Sequence, residues 1–172
     1  FDREQSAGGV PRHIIPRFRS PGDLVQHDIA FVAEHGVKFV YGCDPLLSVD
    51  TLKAQGFEYV LIGIGSHQSS GFPLGTGNPK VFSALPFLRS FNEGEVPTLG
   101  RRVVIVGAGN TAMDCARSAL RVAGVEEVEV VYRRSFNEIP AYREEYEGAV
   151  QDGVTFRFLV NPERFDGDGT IA

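Results

Sequence analysis

Two textures of apolar and polar positions follow one another along this chain, and the change falls near residue 98. After it, short apolar runs alternate regularly with amphipathic ones. Arg102–Val106 reads as a strand, Asn110 to about Val122 as a helix, and Val128–Tyr132 as the next strand. Pro140–Gln151 reads as a second helix stopped by Gly153, and Val154–Val160 as a third strand. Asp166-Gly167-Asp168-Gly169 has the composition of a hairpin turn, with a further strand beginning at Thr170. Strand–helix–strand–helix–strand with right-handed crossovers predicts a parallel sheet of order 3-2-1, half of a doubly wound, Rossmann-like three-layer α/β fold.

Before residue 98 the pattern is looser. Phe1 to Arg19 is irregular, with Gly8-Gly9 and prolines at 11 and 16. Ser20-Pro21 reads as an N-cap followed by proline in the first helical position. The helix runs to about Glu34, with Val25, Ile29 and Val32 at helical spacing, Leu24 and Phe31 beside them, and Gly36 as its end. Val37–Tyr41 reads as a short strand and Asp50–Ala54 as a helical turn. Tyr59–Ile64 reads as a strand apolar on both faces, a pattern that predicts cover on both sides. Ser66 to Lys80 is a loop, and a short helix spans Phe82–Phe91 around Pro86. The stretch 92–100 lacks periodicity, so the domain boundary is placed there, giving 1–97 and 98–172.

Composition narrows the function classes. A net charge of −5 over 172 residues argues against non-specific nucleic-acid binding, which needs a basic surface. No stretch approaches the roughly 20 apolar residues of a membrane span. The polar opening Asp2-Arg3-Glu4-Gln5 is unlike a secretory signal, and the expected location is cytoplasmic. Cys43 and Cys115 form no C-x-x-C, and two thiols cannot build an iron–sulfur cluster, so both read as reduced, partly buried groups. His13, His27, His35 and His67 lack metal-ligand spacing. The chain starts at Phe1 without Met and reads as a piece of something longer.

The chemistry is concentrated after the first strand of the second part. Val103–Val106 runs into Gly107-Ala108-Gly109-Asn110-Thr111-Ala112, a G-x-G-x-x-A turn that opens a helix. Gly107 permits the tight turn, Gly109 lets a pyrophosphate approach, and Ala112 keeps helix and strand close. The phosphates then face free N–H groups at the positive end of the helix dipole. An NAD site places an acid at the end of the second strand; here Arg133-Arg134-Ser135 stand there. Two guanidinium groups and a hydroxyl suit a ribose 2′-phosphate, which points to NADPH over NADH. Arg143 is a further candidate for that phosphate. Glu144, Glu145 and Glu147 read as a solvated helix face, and Asp114 as an exposed or capping residue. No catalytic acid–base residue and no metal ligand are assigned.

On these residues the chain resembles the glutamate synthase small-chain family, which includes the flavin module of dihydropyrimidine dehydrogenase. Gly109-Asn110-Thr111-Ala112-Met113-Asp114-Cys115 carries the resemblance, with Tyr132-Arg133-Arg134 and Ile139-Pro140. In the first part it rests on Gly8-Gly9-Val10, Ile15-Pro16-Arg17-Phe18-Arg19 and Leu61-Ile62-Gly63-Ile64-Gly65, so that it covers essentially the whole chain. The run Ile139–Tyr146 is also similar to the iron–sulfur subunits of the selenate reductase type. The resemblance implies a FAD-binding domain into which an NADPH-binding domain is inserted. Asp2 would meet the FAD adenosine ribose, Gly8, Gly9, Val10 and Arg19 its pyrophosphate and ribityl region, and Gly65 would end a flavin-side strand. The FAD glycine fingerprint is expected before residue 1 and the rest of the NADPH sheet after residue 172. The implied reaction is hydride transfer from NADPH to FAD, with electrons passed to iron–sulfur centres elsewhere and to iron–sulfur or molybdenum-type redox subunits. A nucleotide-sensing or interaction module without redox turnover is the alternative.

Overall fold

The computed structural model describes residues 1–66 and 77–165. The chain divides into two compact units, Phe1–His67 and Gln68–Ala172. The expected hairpin at 166–169 and most of the loop 66–80 lie outside the described residues. Among the described residues no helix is long and apolar enough to cross a membrane.

The first unit holds three helices, α1 (Gly9–His13), α2 (Gly22–Glu34) and α3 (Val49–Ala54). The opening stretch, expected to be irregular, contains α1. It starts after Gly8 at φ 119°, and both Ile14 N and Ile15 N donate to Val10 O. Gly8 is where α1 and α2 meet: a Cβ there would lie 2.8 Å from Arg12 Cβ and 2.9 Å from Val25 Cγ1. Helix α2 begins one residue later than expected, with Pro21 as N-cap. In α3 the Ser48 side chain caps the helix by accepting from Thr51 N at 3.1 Å.

Neither strand expected in this unit forms a ladder. The segment 40–43 is tied to residues 2–4 by three backbone bonds, Asp2 N to Val40 O, Gly42 N to Glu4 O and Cys43 N to Asp2 O, and a turn at Gly42 (φ 64°) interrupts the pairing. Tyr59–Ile64 pairs with no strand among the described residues. Apart from the half-buried Val60 its side chains stand in solvent, Leu61 at 97% exposure. An apolar run becomes a strand only when a neighbour supplies the other half of its hydrogen bonds, and none of the described residues does so here.

The second unit closes around a sheet. Its elements are α4 (Ala84–Glu93), β1 (Arg102–Val106), α5 (Asn110–Leu120), β2 (Glu127–Tyr132), a 3-10 turn (Phe136–Glu138), α6 (Arg143–Asp152) and β3 (Thr155–Phe158). The strands are parallel in the order β1-β2-β3, as expected, with Val103 opposite Val128, Ile105 opposite Val130, and Val130 opposite Phe156. Helix α5 packs on β1 and β2 and is flanked by α4 and α6. Its small residues Ala116, Ser118 and Ala119 are wholly buried, which brings backbones close, while Leu88, Met113, Val128 and Val130 fill the core. Because α4 packs on α5, the contacts divide the chain ahead of the composition boundary at 97/98.

Asp114, read as exposed or capping, and Glu145, read as solvated, are both enclosed. Asp114 is buried, since α5 has helices on both sides. Glu145 faces Arg117 at 3.7 Å with its side chain only 14% exposed. Arg117 Nε and Arg121 Nη1 both donate to Asp152 Oδ2 at 2.8 Å and clip the end of α6 to α5. Helix α6 starts at Arg143 rather than Pro140, because Tyr142 is extended (ψ 148°) and serves as its N-cap. Tyr146 of α6 packs on Phe156 with ring centroids 4.7 Å apart. Strand β3 stops at Phe158, where Leu159 turns to φ 60°.

Candidate functional site

The C-terminal ends of β1 and β2 lie side by side, Val106 opposite Val131, and bring the glycine turn and Arg133–Ser135 to one edge of the sheet. Gly107 keeps the ladder going by donating to Val131 O at 3.0 Å, yet turns at φ 108°, a conformation open to glycine and costly to a Cβ. Ala108 is buried behind it. Gly109 is the N-cap of α5 with φ −83°, which any residue adopts. A Cβ on Gly109 would meet no protein atom within 4 Å. Neither conformation nor internal packing therefore asks for glycine at 109; room for an incoming group does. Ala112 N and Met113 N both turn back to Gly109 O, at 2.9 and 3.1 Å, and the amides of Asn110 and Thr111 have no acceptor within the helix. Ala112 sits half-buried in this first turn. Open space beside unpaired helix N–H groups is the cradle that a pyrophosphate requires, so these residues fit the group.

A second loop holds the turn in place. Ala141 N donates to Ala108 O at 3.2 Å, and Tyr142 N donates to Asn110 Oδ1 at 2.8 Å. With its oxygen engaged, the Asn110 side chain keeps its amide nitrogen, a pure donor, as the free end.

Arg133 and Arg134 are exposed just past β2, and neither has a carboxylate at ion-pair distance among the described residues. Backbone fixes them: Leu159 N donates to Arg134 O at 3.2 Å. Ser135 is differently placed. Its N–H and its hydroxyl both donate to Glu138 Oε2, at 3.1 and 2.9 Å. These two hydrogen bonds, with the charge of Arg134 behind them, hold the Glu138 carboxyl below the usual carboxylate range. Tyr132 Oη donates to Glu138 O at 3.0 Å and pins the same turn. Arg143 is engaged by Glu147 at 2.7 Å on the outer face of α6. Burial, with Asp114 adjacent, pushes the Cys115 thiol up to about 12, so it has no nucleophilic role near neutral pH.

The flavin-side candidates lie in the first unit. Asp2 Oδ1 accepts from Glu4 N at 3.0 Å, which turns the chain rather than presenting the carboxylate freely. Gly8 is required by the close approach of α1 and α2, whereas a Cβ on Gly9 would meet nothing within 4 Å. Val10 lies in α1, Arg19 N bonds Pro16 O, and Gly65 (φ 70°) is exposed at the end of the apolar run 59–64. The sequence reading missed Glu138, Ala141 and Tyr142. Glu138 was visible as the fourth residue of a Ser-x-x-Glu capping pattern, but the other two act through backbone N–H groups and leave no side-chain signal.

Comparison with known proteins places this geometry. Residues 6–172 match the family profile described as "Pyridine nucleotide-disulphide oxidoreductase". The chain is 62% identical to the protein named "Putative oxidoreductase YgfK" of Escherichia coli (strain K12) over 171 residues, 99% of this chain and 17% of that protein. It is 34% identical to "Putative glutamate synthase (NADPH) small chain" of Cereibacter sphaeroides, covering 96% of this chain and 42% of that one. The chain thus spans less than half the length of these relatives. Among solved structures, FprA from Mycobacterium tuberculosis shares the fold at a TM-score of 0.80 and 16% identity, over 99% of this chain and 54% of that one. The chain belongs to the pyridine nucleotide-disulphide oxidoreductase family, and it is similar within that family to a protein named as a glutamate synthase small chain.

Proposed function

We propose that this chain is part of a flavoprotein oxidoreductase that passes hydride from NADPH to FAD, and electrons onward to iron–sulfur centres elsewhere in the whole protein. Residues 98–172 would begin the NADPH-binding domain, and residues 1–97 part of the FAD-binding domain. One juxtaposition carries the reading: an open-faced Gly109 at the start of α5, near two exposed arginines with no carboxylate at ion-pair distance among the described residues. Gly107–Ala112 would hold the pyrophosphate, with the Asn110 amide nitrogen as an added donor. Arg133 and Arg134 would pair with the 2′-phosphate, which an acid at that place would repel. Asp2, Gly8, Gly9, Val10, Arg19 and Gly65 would face the flavin nucleotide, Gly9 offering the space for it. When bound, the nicotinamide and flavin supply the hydride chemistry, and these side chains supply position and charge. The greater length of the relatives supports further domains or subunits as the electrons' destination, which would be of iron–sulfur or molybdenum type.

The test uses the full-length protein. Anaerobic stopped-flow mixing should bleach the flavin absorbance with NADPH far faster than with NADH. Replacing Arg133 and Arg134 together by Ala should lower that preference at least about tenfold, each charge-assisted phosphate contact being worth roughly 1.5–3 kcal/mol. A protein that carries flavin yet is reduced equally by both nucleotides, or one that binds neither cofactor, would refute the proposal.

A further inference from the structure

We infer that Glu138 determines nucleotide specificity: seated on the donors of Ser135, it limits how strongly this loop prefers a phosphorylated ribose. The inference rests on reading Arg133 and Arg134 as the 2′-phosphate contact. A serine hydroxyl has one proton to give, and that of Ser135 goes to Glu138 Oε2 at 2.9 Å, beside the backbone N–H at 3.1 Å. Toward anything else the oxygen offers lone pairs. A phosphate dianion only accepts, so in this arrangement Ser135 has nothing to donate to it. The carboxylate already occupies the donors that an anion on this loop would use after the two arginines.

The placement is built rather than incidental. The Ser-x-x-Glu spacing closes the 3-10 turn on itself, and the Tyr132 hydroxyl fixes the Glu138 carbonyl at 3.0 Å. No Lys or Arg lies at ion-pair distance from Glu138 among the described residues, so the charge of Arg134, farther off, offsets its own only in part. A fixed negative charge thus stands beside the pair of guanidinium groups and repels the 2′-phosphate. An unphosphorylated ribose does not feel it.

Glu138→Gln removes the charge and keeps an acceptor oxygen for the turn. In the full-length protein, calorimetric Kd values for NADPH and NADH would be compared at low and high salt. Glu138→Gln should tighten NADPH about threefold or more at low ionic strength, less at high salt, and leave NADH within about twofold. Ser135→Ala should leave the NADPH Kd within about twofold, since the hydroxyl faces the carboxylate. An unchanged NADPH-to-NADH ratio in Glu138→Gln would reduce Glu138 to a turn cap and overturn the inference. So would a roughly tenfold loss of NADPH affinity in Ser135→Ala. In both cases the parent's preference for NADPH would stand. A parent without that preference overturns the NADPH reading, and this inference with it.

Discussion

The two units treat their apolar residues in opposite ways. In the second, Leu88, Met113, Val128 and Val130 are removed from solvent by α4, α5 and the sheet. In the first, comparable side chains such as Phe31, Leu46, Tyr59, Leu61 and Ile64 remain exposed, and its buried apolar residues among those described are Ala7, Ile14 and Pro16. The hydrophobic pattern is as strong in 59–64 as in 102–106. What separates them is a partner: β1 finds β2 some 20 residues on, through a crossover helix that covers both. Hydrophobic pattern specifies a candidate strand, and only neighbouring backbone turns it into one.

Substitutions can break or sharpen that contrast. The largest effect belongs to the closed core, where Leu88→Ala should cost about 2–5 kcal/mol in chemical denaturation of this chain. Next comes a contrast between two glycines. Gly109→Val should weaken NADPH binding in the full-length protein about a hundredfold, roughly 2.7 kcal/mol, while thermal melting stays put. Gly8→Ala should do the reverse, costing stability of about 1–3 kcal/mol, because its Cβ would strike Arg12 and Val25 at φ 119°. A melting temperature lowered by Gly109→Val would show that the open face is needed for folding.

A smaller effect should come from the clip between α5 and α6. Hydrogen bonds from Arg121 and then Arg117 hold the Asp152 carboxyl below its ordinary range. Its folded value is depressed, so its stabilisation is complete above the ordinary carboxylate range and disappears as pH falls through the depressed value. Asp152→Asn should cost about 1 kcal/mol at neutral pH and nothing once the parent's carboxyl is protonated, read from denaturation curves across that window. Smallest of all, Leu61→Ala should change the stability of this chain by less than about 0.5 kcal/mol. A cost above about 1 kcal/mol for the same change in the full-length protein would identify Leu61 as covered there.

Legibility in the sequence followed the reach of each interaction. Strands β1, β2 and β3, helix α5 and the sheet order could be read because each element finds its partners within one crossover. The glycine turn could be read because Gly107 and Gly109 answer to different requirements at fixed spacing. The burial of Asp114 and Glu145 was not legible because it depends on α4 and α6 flanking α5, which charge patterning does not encode. Ser135 was read as a donor to a ligand, but its hydroxyl is committed to a residue three positions on. Residues 59–64 misled because β-type composition does not supply a hydrogen-bonded neighbour, and 37–41 because the turn at Gly42 interrupts the pairing with residues 2–4.

The bond from Tyr142 N–H to Asn110 Oδ1 also bears on how this chain tolerates change. Position 142 contributes only its amide, and its side chain is exposed. A survey of all substitutions should therefore find one partner of this bond demanding and the other nearly indifferent. At 110 even Asp would reverse a donor, whereas at 142 nineteen residues bring the same N–H and Pro alone does not. Much of what holds the turn is thus written in backbone and hidden from any comparison of side chains.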